Sequence, residues 1–144
     1  MTESARISKI TGRRKVEREP AYSDFLTNFN IHPETGMLMR NTNAEAVKRG
    51  IRNLILTDRG ERMYNPSFGC DVRKMLFENF SPQTSEMIKT YIEDAIETHE
   101  PRVNLIRVLV RPVEDRNLYS IAIVYELINL EEQQTLALTL ERIR

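Results

Sequence analysis

The chain has 144 residues, enough for one domain with a substantial hydrophobic core and too few for two independent domains. Its 21 basic and 21 acidic side chains cancel, so no overall charge would draw it to nucleic acid or an anionic membrane. The single cysteine, Cys70, excludes an internal disulfide framework and fits a reducing cytoplasm. Because no apolar run resembles a signal peptide or is long enough to span a bilayer, we expect assembly in the cytosol without a membrane partner.

The first 21 residues differ in composition from the rest, with six basic residues against three acidic ones and few large apolar side chains. Such a segment cannot bury enough surface to fold alone, so we expect residues 1–21 to form an extended basic N-terminal arm that another molecule holds. The cluster Arg13-Arg14-Lys15 is a candidate DNA contact. Its small net charge and the lack of interleaved aromatic residues favour a solvated or protein-bound arm. Residues 22–144 are then a single domain.

An apolar loop and a helix follow the arm. Within residues 22–42, Pro33 and Gly36 interrupt a series of aromatic and aliphatic residues, which predicts a loop anchored by aromatic side chains and wrapped around the domain. Asn43 is a candidate N-cap for a helix that runs to about Thr57. That helix has one apolar stripe, composed of Val47, Ile51, Leu54 and Ile55.

A loop punctuated by glycine and proline connects this helix to two others. Asp71 is placed to cap a short helix that continues through Phe77. Ser81 and Pro82 then begin the longest helix, which is predicted to end near His99.

After the longest helix, the hydrophobic period changes to that of a strand. Three alternating runs are predicted, at residues 103–111, 119–127 and 133–140. The connections between them are of hairpin length, so the simplest topology is an antiparallel meander with the middle run central. The predicted fold class is α+β, a two-layer domain with helices packed on one face of a three-stranded antiparallel sheet.

The sequence gives no positive reason to predict an enzyme. Glu61 and Asp71 flank the central loop and are candidates for a glycosidase carboxylate pair. Structural roles are favoured, because Glu61 lies in a turn beside Arg62 and Asp71 is well placed as an N-cap. No metal site is predicted from His32, Cys70 and His99, which lack paired ligand spacing. No cofactor is predicted, since the glycines form neither a phosphate loop nor a dinucleotide fingerprint.

Four short motifs occur in a distinctive order along the chain. They are Gly60-Glu61-Arg62, Pro66-Ser67-Phe68-Gly69-Cys70-Asp71, Leu76-Phe77-Glu78-Asn79 and Glu100-Pro101-Arg102. Over residues 22–144 this order resembles the baseplate wedge and sheath-initiator family of contractile phage tails and type VI secretion baseplates, which includes a lysozyme-related wedge protein. By that resemblance, a structural loop is formed by Gly60, Arg62, Pro66, Phe68, Gly69 and Asp71.

The triplet Glu100-Pro101-Arg102 has two interpretations. Proline biases the preceding residue away from the helical region, which alone accounts for a change from helix to strand here. The resemblance implies in addition that the triplet faces the helical core of the wedge, where its two charged side chains could make charge-assisted hydrogen bonds to a partner. We favour docking, on the strength of the resemblance.

The third strand is predicted to be an open sheet edge. Residues 133–140 contain no charge and no proline, although natural edges normally carry such residues against stray pairing. An edge of this kind is either an aggregation hazard or a place where a partner strand adds, and the resemblance implies that terminal arms of sheath subunits add there. The candidate docking residues are Gln133, Thr135, Ala137, Leu138, Thr139 and Leu140, and the opposite edge at 103–111 is the alternative.

Together these features predict a structural, non-catalytic baseplate wedge protein that docks on the wedge core and templates the first sheath ring. By resemblance, six copies per baseplate contact wedge core proteins and sheath subunits, with the tail tube and neighbouring wedges as further candidates, but neither nucleic acid nor membrane. The expected location is the tail baseplate of a virion assembled in the host cytoplasm. A cell-wall glycosidase and a nucleic-acid-binding adaptor remain alternatives. The motifs do not separate a phage tail from a related contractile device.

Overall fold

The computed structural model describes residues 22–26, 28–128 and 133–141, and the predicted N-terminal arm lies outside them. No helix in the described part of the chain has the length and apolar character needed to cross a membrane. In chain order, the elements of these ranges are β1 (Ser23–Phe25), β2 (Arg40–Thr42), α1 (Asn43–Leu56), α2 (Val72–Met75), α3 (Pro82–His99), β3 (Val103–Val113), a 3-10 turn (Glu114–Arg116), β4 (Leu118–Leu127) and β5 (Gln133–Glu141).

The longest helix, α3, begins and ends where the sequence predicts. The backbone N–H of Thr84 donates to the Ser81 hydroxyl oxygen at 3.0 Å, and Pro82 occupies the first helical turn, where a missing N–H costs nothing. At the other end, Pro101 keeps Glu100 out of the helical conformation, with φ −126° and ψ 75°.

One predicted helix cap is misplaced, and another occupies its predicted position without making a cap hydrogen bond. Thr42 occupies the N-cap position of α1, without a side-chain cap hydrogen bond, and Asn43 is the first helical residue, at a φ of 49° that asparagine tolerates better than most residues. Asp71 does precede α2, but its carboxylate makes no cap hydrogen bond and instead pairs with Lys74 at 2.7 Å. The ion pair competes for the same oxygens that a cap would use. The helix α2 also ends before Phe77, at Met75.

The three long strands form the predicted antiparallel meander, in the order β3-β4-β5 with β4 central. The helices α1 and α3 cover one face of this sheet, which confirms the α+β two-layer architecture. Alternate residues of β4 are fully buried against the helices and form the centre of the core, namely Tyr119, Ile121, Ile123, Tyr125 and Leu127.

The segment 22–42 differs from the predicted loop. β1 and β2 form a regular antiparallel pair, and the large apolar side chains between and beside them are exposed rather than anchored on the domain. Phe29 is 65% exposed and Met37 is 71% exposed, whereas Tyr22 packs against the core. Composition predicted burial for these residues, but burial also requires a facing surface, and the described residues of the domain do not supply one.

Candidate docking site

The loop between α1 and α2 folds back on itself around two glycines. The N–H of Gly60 donates to the Pro66 carbonyl at 2.9 Å, and the N–H of Cys70 donates to the Thr57 carbonyl at 2.8 Å. Gly69 has a φ of 124°, and a Cβ placed there would lie 2.6 Å from the Thr57 carbonyl oxygen. Only glycine fits this close approach, so Gly69 fixes the shape of the loop.

A stack of three side chains joins this loop to the end of α3. The Arg62 guanidinium carbon lies 4.0 Å from the centre of the Phe68 ring, a cation–π contact. The Phe68 and His99 ring centres are 5.3 Å apart, and His99 Nε2 lies 3.0 Å from the Ser67 carbonyl oxygen. Through this stack, the motif at Gly60–Asp71 is brought beside the triplet that begins at Glu100.

Glu100 and Arg102 are paired with each other. Nε and Nη2 of Arg102 donate to the two carboxylate oxygens of Glu100, at 2.5 and 2.6 Å, which is the bidentate geometry that a guanidinium makes with a carboxylate. Glu100 is only 6% exposed, whereas the Arg102 side chain is 36% exposed. The hydrogen bond to Glu100 raises the pKa of Arg102, so this side chain stays charged at every physiological pH.

Two residues that the sequence analysis did not single out position this pair. Gly50 leaves room for it, since a Cβ there would lie 3.0 Å from Arg102 Nη2 and 3.1 Å from Glu100 Oε2. The Tyr22 ring lies under Arg102, with the guanidinium carbon 5.5 Å from its centre. A glycine in a helix interior is a sequence signal for a close approach, and Gly50 carries that signal. No comparable signal marks Tyr22.

The stack and the ion pair line one open groove of about 390 Å³. We call it the triplet groove. The loop, the turn after α3, the helix α1 and Asp24 of β1 all contribute to its lining, which includes Arg62, Phe68, His99, Glu100, Pro101 and Arg102. Of the predicted structural-loop residues, Arg62 and Phe68 line the groove, whereas Gly60, Pro66 and Gly69 shape the loop and Asp71 pairs with Lys74 and Arg59.

The side chains considered for catalysis and metal binding are engaged with their neighbours. Glu61 accepts a hydrogen bond from the backbone N–H of Asp58 at 3.0 Å, and Asp71 is ion-paired. The Cys70 thiol is buried and lies 3.2 Å from the Tyr91 carbonyl oxygen, and burial raises its pKa to about 11, so the thiolate is not formed at neutral pH. Among the described residues, no three potential ligands from His, Cys, Asp and Glu converge.

The predicted open strand is an edge of the sheet, since in the described ranges β5 pairs with β4 alone. Leu136, Leu138 and Leu140 face the helices, while Gln133, Thr135, Ala137 and Thr139 are exposed. The other edge, β3, has a bulge between Leu105 and Arg107 and carries Arg107, Arg111 and Pro112. Bulges, charges and proline are the devices that blunt a sheet edge, so β5 is the more open of the two.

Comparison with known proteins identifies the family. The family model described as baseplate wedge protein gp25 matches residues 41–132, which is well over half of the 144 residues and contains all four motifs. The chain belongs to this family of baseplate wedge proteins. The resemblance stated from the motifs is therefore confirmed.

Individual relatives agree with this assignment. The chain is similar to baseplate wedge protein gp25 of Enterobacteria phage T4, at 35% identity over 91 residues, covering 60% of this chain and 69% of the T4 protein. The structure of a putative tail lysozyme from Geobacter sulfurreducens is similar at a TM-score of 0.68 and 27% identity, covering 74% of this chain and 97% of that chain. A chain of the anti-feeding prophage baseplate shares the fold, at a TM-score of 0.59 and 24% identity, covering 85% and 87% of the two chains.

Proposed function

We propose that this protein is a structural, non-catalytic component of a contractile-tail baseplate, which docks on the wedge core through the triplet groove and starts the sheath through β5. Membership of the baseplate wedge family supports the setting. The partners we propose are wedge core proteins and sheath subunits, in six copies per baseplate, and the location is the tail of the particle. The neighbour called a putative tail lysozyme raises the question of catalysis, but the carboxylates of Glu61 and Asp71 are both engaged within this chain, which favours a structural role.

The observation that carries the docking proposal is the paired Glu100 and Arg102 at the rim of an open groove. The carboxylate holds the guanidinium in one orientation, and a side chain that is already ordered loses less entropy on binding. Pro101 is exposed beside it on a stiff turn. A partner surface would therefore meet an ordered guanidinium at the rim, beside the Arg62 and Phe68 stack and with the carboxylates of Asp24 and Glu100 in the same lining.

The triplet is tested with Arg102→Lys rather than Arg102→Ala. Removing the guanidinium entirely would leave the buried Glu100 carboxylate without its partner, at a cost of about 1–3 kcal/mol in unfolding free energy, and would confuse docking with folding. Lysine keeps the charge but lacks the bidentate fork. We expect Arg102→Lys to change the unfolding free energy by less than about 1 kcal/mol while reducing incorporation into wedges assembled from purified components, as measured by co-sedimentation.

The matched control is Arg116→Ala, which removes an exposed arginine from the turn between β3 and β4, outside the groove. It should leave incorporation unchanged. Normal incorporation of both variants at limiting concentration would show that the triplet is not the docking surface.

A further inference from the structure

A basic groove runs beside the open strand. It opens between α1, Asn41 of β2 and Leu136 of β5, with a volume of about 530 Å³, and its lining includes Lys48, Arg49 and Arg52. We call it the basic groove. Glu45 is the carboxylate in this lining, and it lies 3.7 Å from Lys48. Within the described ranges, neither Arg49 nor Arg52 has a carboxylate within ion-pair distance.

At the other end of β5, a small pocket has the opposite character. Its volume is about 150 Å³, and most of its lining residues are aliphatic, namely Ile55, Leu56, Val72, Leu76 and Leu140, with Arg73, Thr139 and Glu141 completing the lining. We call it the apolar notch. Leu56 is 39% exposed there, which leaves apolar surface uncovered.

The spacing of these two features matches the period of a strand. Leu136 borders the basic groove and Leu140 borders the apolar notch; both face the helices, and they lie four residues apart on β5. Four residues of a strand span about 13 Å. A strand that paired with β5 would place its own side chains on the same face with the same period, so two of its positions, also four residues apart, would lie beside the groove and the notch.

We propose that β5 selects its partner strand by sequence: the strand carries a carboxylate beside the basic groove and, four residues away on the same face, an aliphatic side chain beside the apolar notch. This inference rests on the proposed strand addition and names the chemistry of the strand that fits. The guanidinium groups of Arg49 and Arg52, which have no carboxylate within ion-pair distance among the described residues, provide charge complementarity for a carboxylate. The N-terminal segment 1–21 of this chain contains one carboxylate and one aliphatic residue at this spacing, Glu3 and Ile7, but its six basic residues against three acidic ones disfavour it beside a basic groove.

Strand peptides test the pattern on the full-length protein. Nine-residue peptides of threonine and valine would carry glutamate and leucine four residues apart, in both orders, because the direction of the added strand is not fixed by the groove. We expect one order to bind at least about tenfold more tightly than its Glu→Gln counterpart, and the Glu→Lys peptide to bind more weakly still. A peptide with the leucine moved by one residue, onto the opposite face, should also bind more weakly. Equal binding of all peptides would overturn the proposal.

Charge reversal on the protein supplies a second readout. Arg52 is exposed, so Arg52→Glu should fold normally, and the proposal predicts that this variant prefers the lysine peptide over the glutamate peptide. Arg111→Glu on β3 is the matched control and should keep the original preference. Hydrogen exchange of the free full-length protein completes the test, because outward-facing β5 amides that are already protected and unaffected by any peptide would show that the edge is occupied, which would also overturn the proposal.

Sheath initiation separates this inference from the proposed function. If a proline in β5 stops initiation on complete baseplates while Arg52→Glu does not, strand addition is supported, but selection of the strand by its carboxylate is ruled out. If neither change has an effect, strand addition itself fails. The proposal is supported if both the proline and Arg52→Glu stop initiation, and if a Glu→Lys change in the sheath strand restores initiation with Arg52→Glu.

Discussion

At the scale of single residues, Tyr125 is a buried phenol that contributes hydrophobic packing but no described hydrogen bond. It is completely buried in β4, and within the described residues its hydroxyl oxygen has no hydrogen-bond partner. Burial, followed by the charges of Glu45 and Glu100, raises the pKa of Tyr125 to about 12. The neutral phenol is therefore favoured in the folded state relative to the unfolded chain, whose tyrosines ionise near pH 10.

This arrangement predicts the effect of Tyr125→Phe. Since a raised pKa gives stability that is complete below pH 10 and is lost as the pH rises from about 10 to about 12, the native protein should lose unfolding free energy in that window. The phenylalanine variant should be as stable at pH 8, or more stable by up to about 1 kcal/mol, because it removes an unpaired buried polar group. As the pH rises from about 10 to about 12, the variant should lose less unfolding free energy than the native protein. Urea unfolding at pH 8 and pH 11 measures both, with Tyr64→Phe, at a fully exposed tyrosine, as the control.

Gly50 provides a test of the ion pair that leaves both charges in place. Alanine is the better helix former by about 1 kcal/mol, but its Cβ would lie 3.0 Å from Arg102 Nη2, so the paired side chains would have to shift by a few tenths of an ångström. We expect Gly50→Ala to stay within about 1 kcal/mol of the native unfolding free energy while weakening incorporation into wedges. Unchanged incorporation would show that the exact orientation of Arg102 does not matter for docking.

At the scale of elements, β5 is the strand whose backbone matters most. Proline in place of Leu138 or Thr139 removes the backbone N–H of that residue. Because these two residues are adjacent in a strand, one of the two N–H groups faces β4 and the other faces outward. The variant that loses an outward N–H should fold, join baseplates and fail to start a sheath. The other should lose about 3 kcal/mol or more of stability. Leu138→Ala controls for the loss of a buried side chain. If both proline variants fold and still start sheaths, β5 does not accept the sheath strand and β3 becomes the candidate edge.

The elements also show how far sequence reasoning reaches in this protein. Periodicity placed α3 and the three long strands closely, because the buried faces of α3, β4 and β5 repeat with the period of a helix or a strand over nine residues or more, although in β3 the bulge after Leu105 interrupts the alternation. The prediction of an anchored loop at residues 22–42 was wrong. The strands β1 and β2 in this segment have three residues each, which is too short to show a period. The contact of Phe68 with His99 joins residues more than thirty positions apart, and no local pattern encodes such a meeting.

At the scale of the whole molecule, the two proposed docking surfaces lie at opposite edges of the sheet but meet on α1, where Asn53 lines both the triplet groove and the basic groove. The triplet groove lies at the turn that enters β3, whereas the open edge is β5, and β4 stands between these strands. A partner in the triplet groove therefore lies beside the basic groove that borders β5. The balanced overall charge is consistent with recognition by such local surfaces, since it gives no long-range attraction to either partner.

The most direct measurement is a cryo-EM map of the complete baseplate with the first sheath ring in place, at a resolution that shows strands and side chains. The proposed function predicts a partner strand paired along Gln133–Glu141 and a wedge core protein in contact with Pro101 and Arg102. A map in which β5 faces solvent after the sheath has started, or in which the triplet groove is empty in an intact wedge, would contradict it.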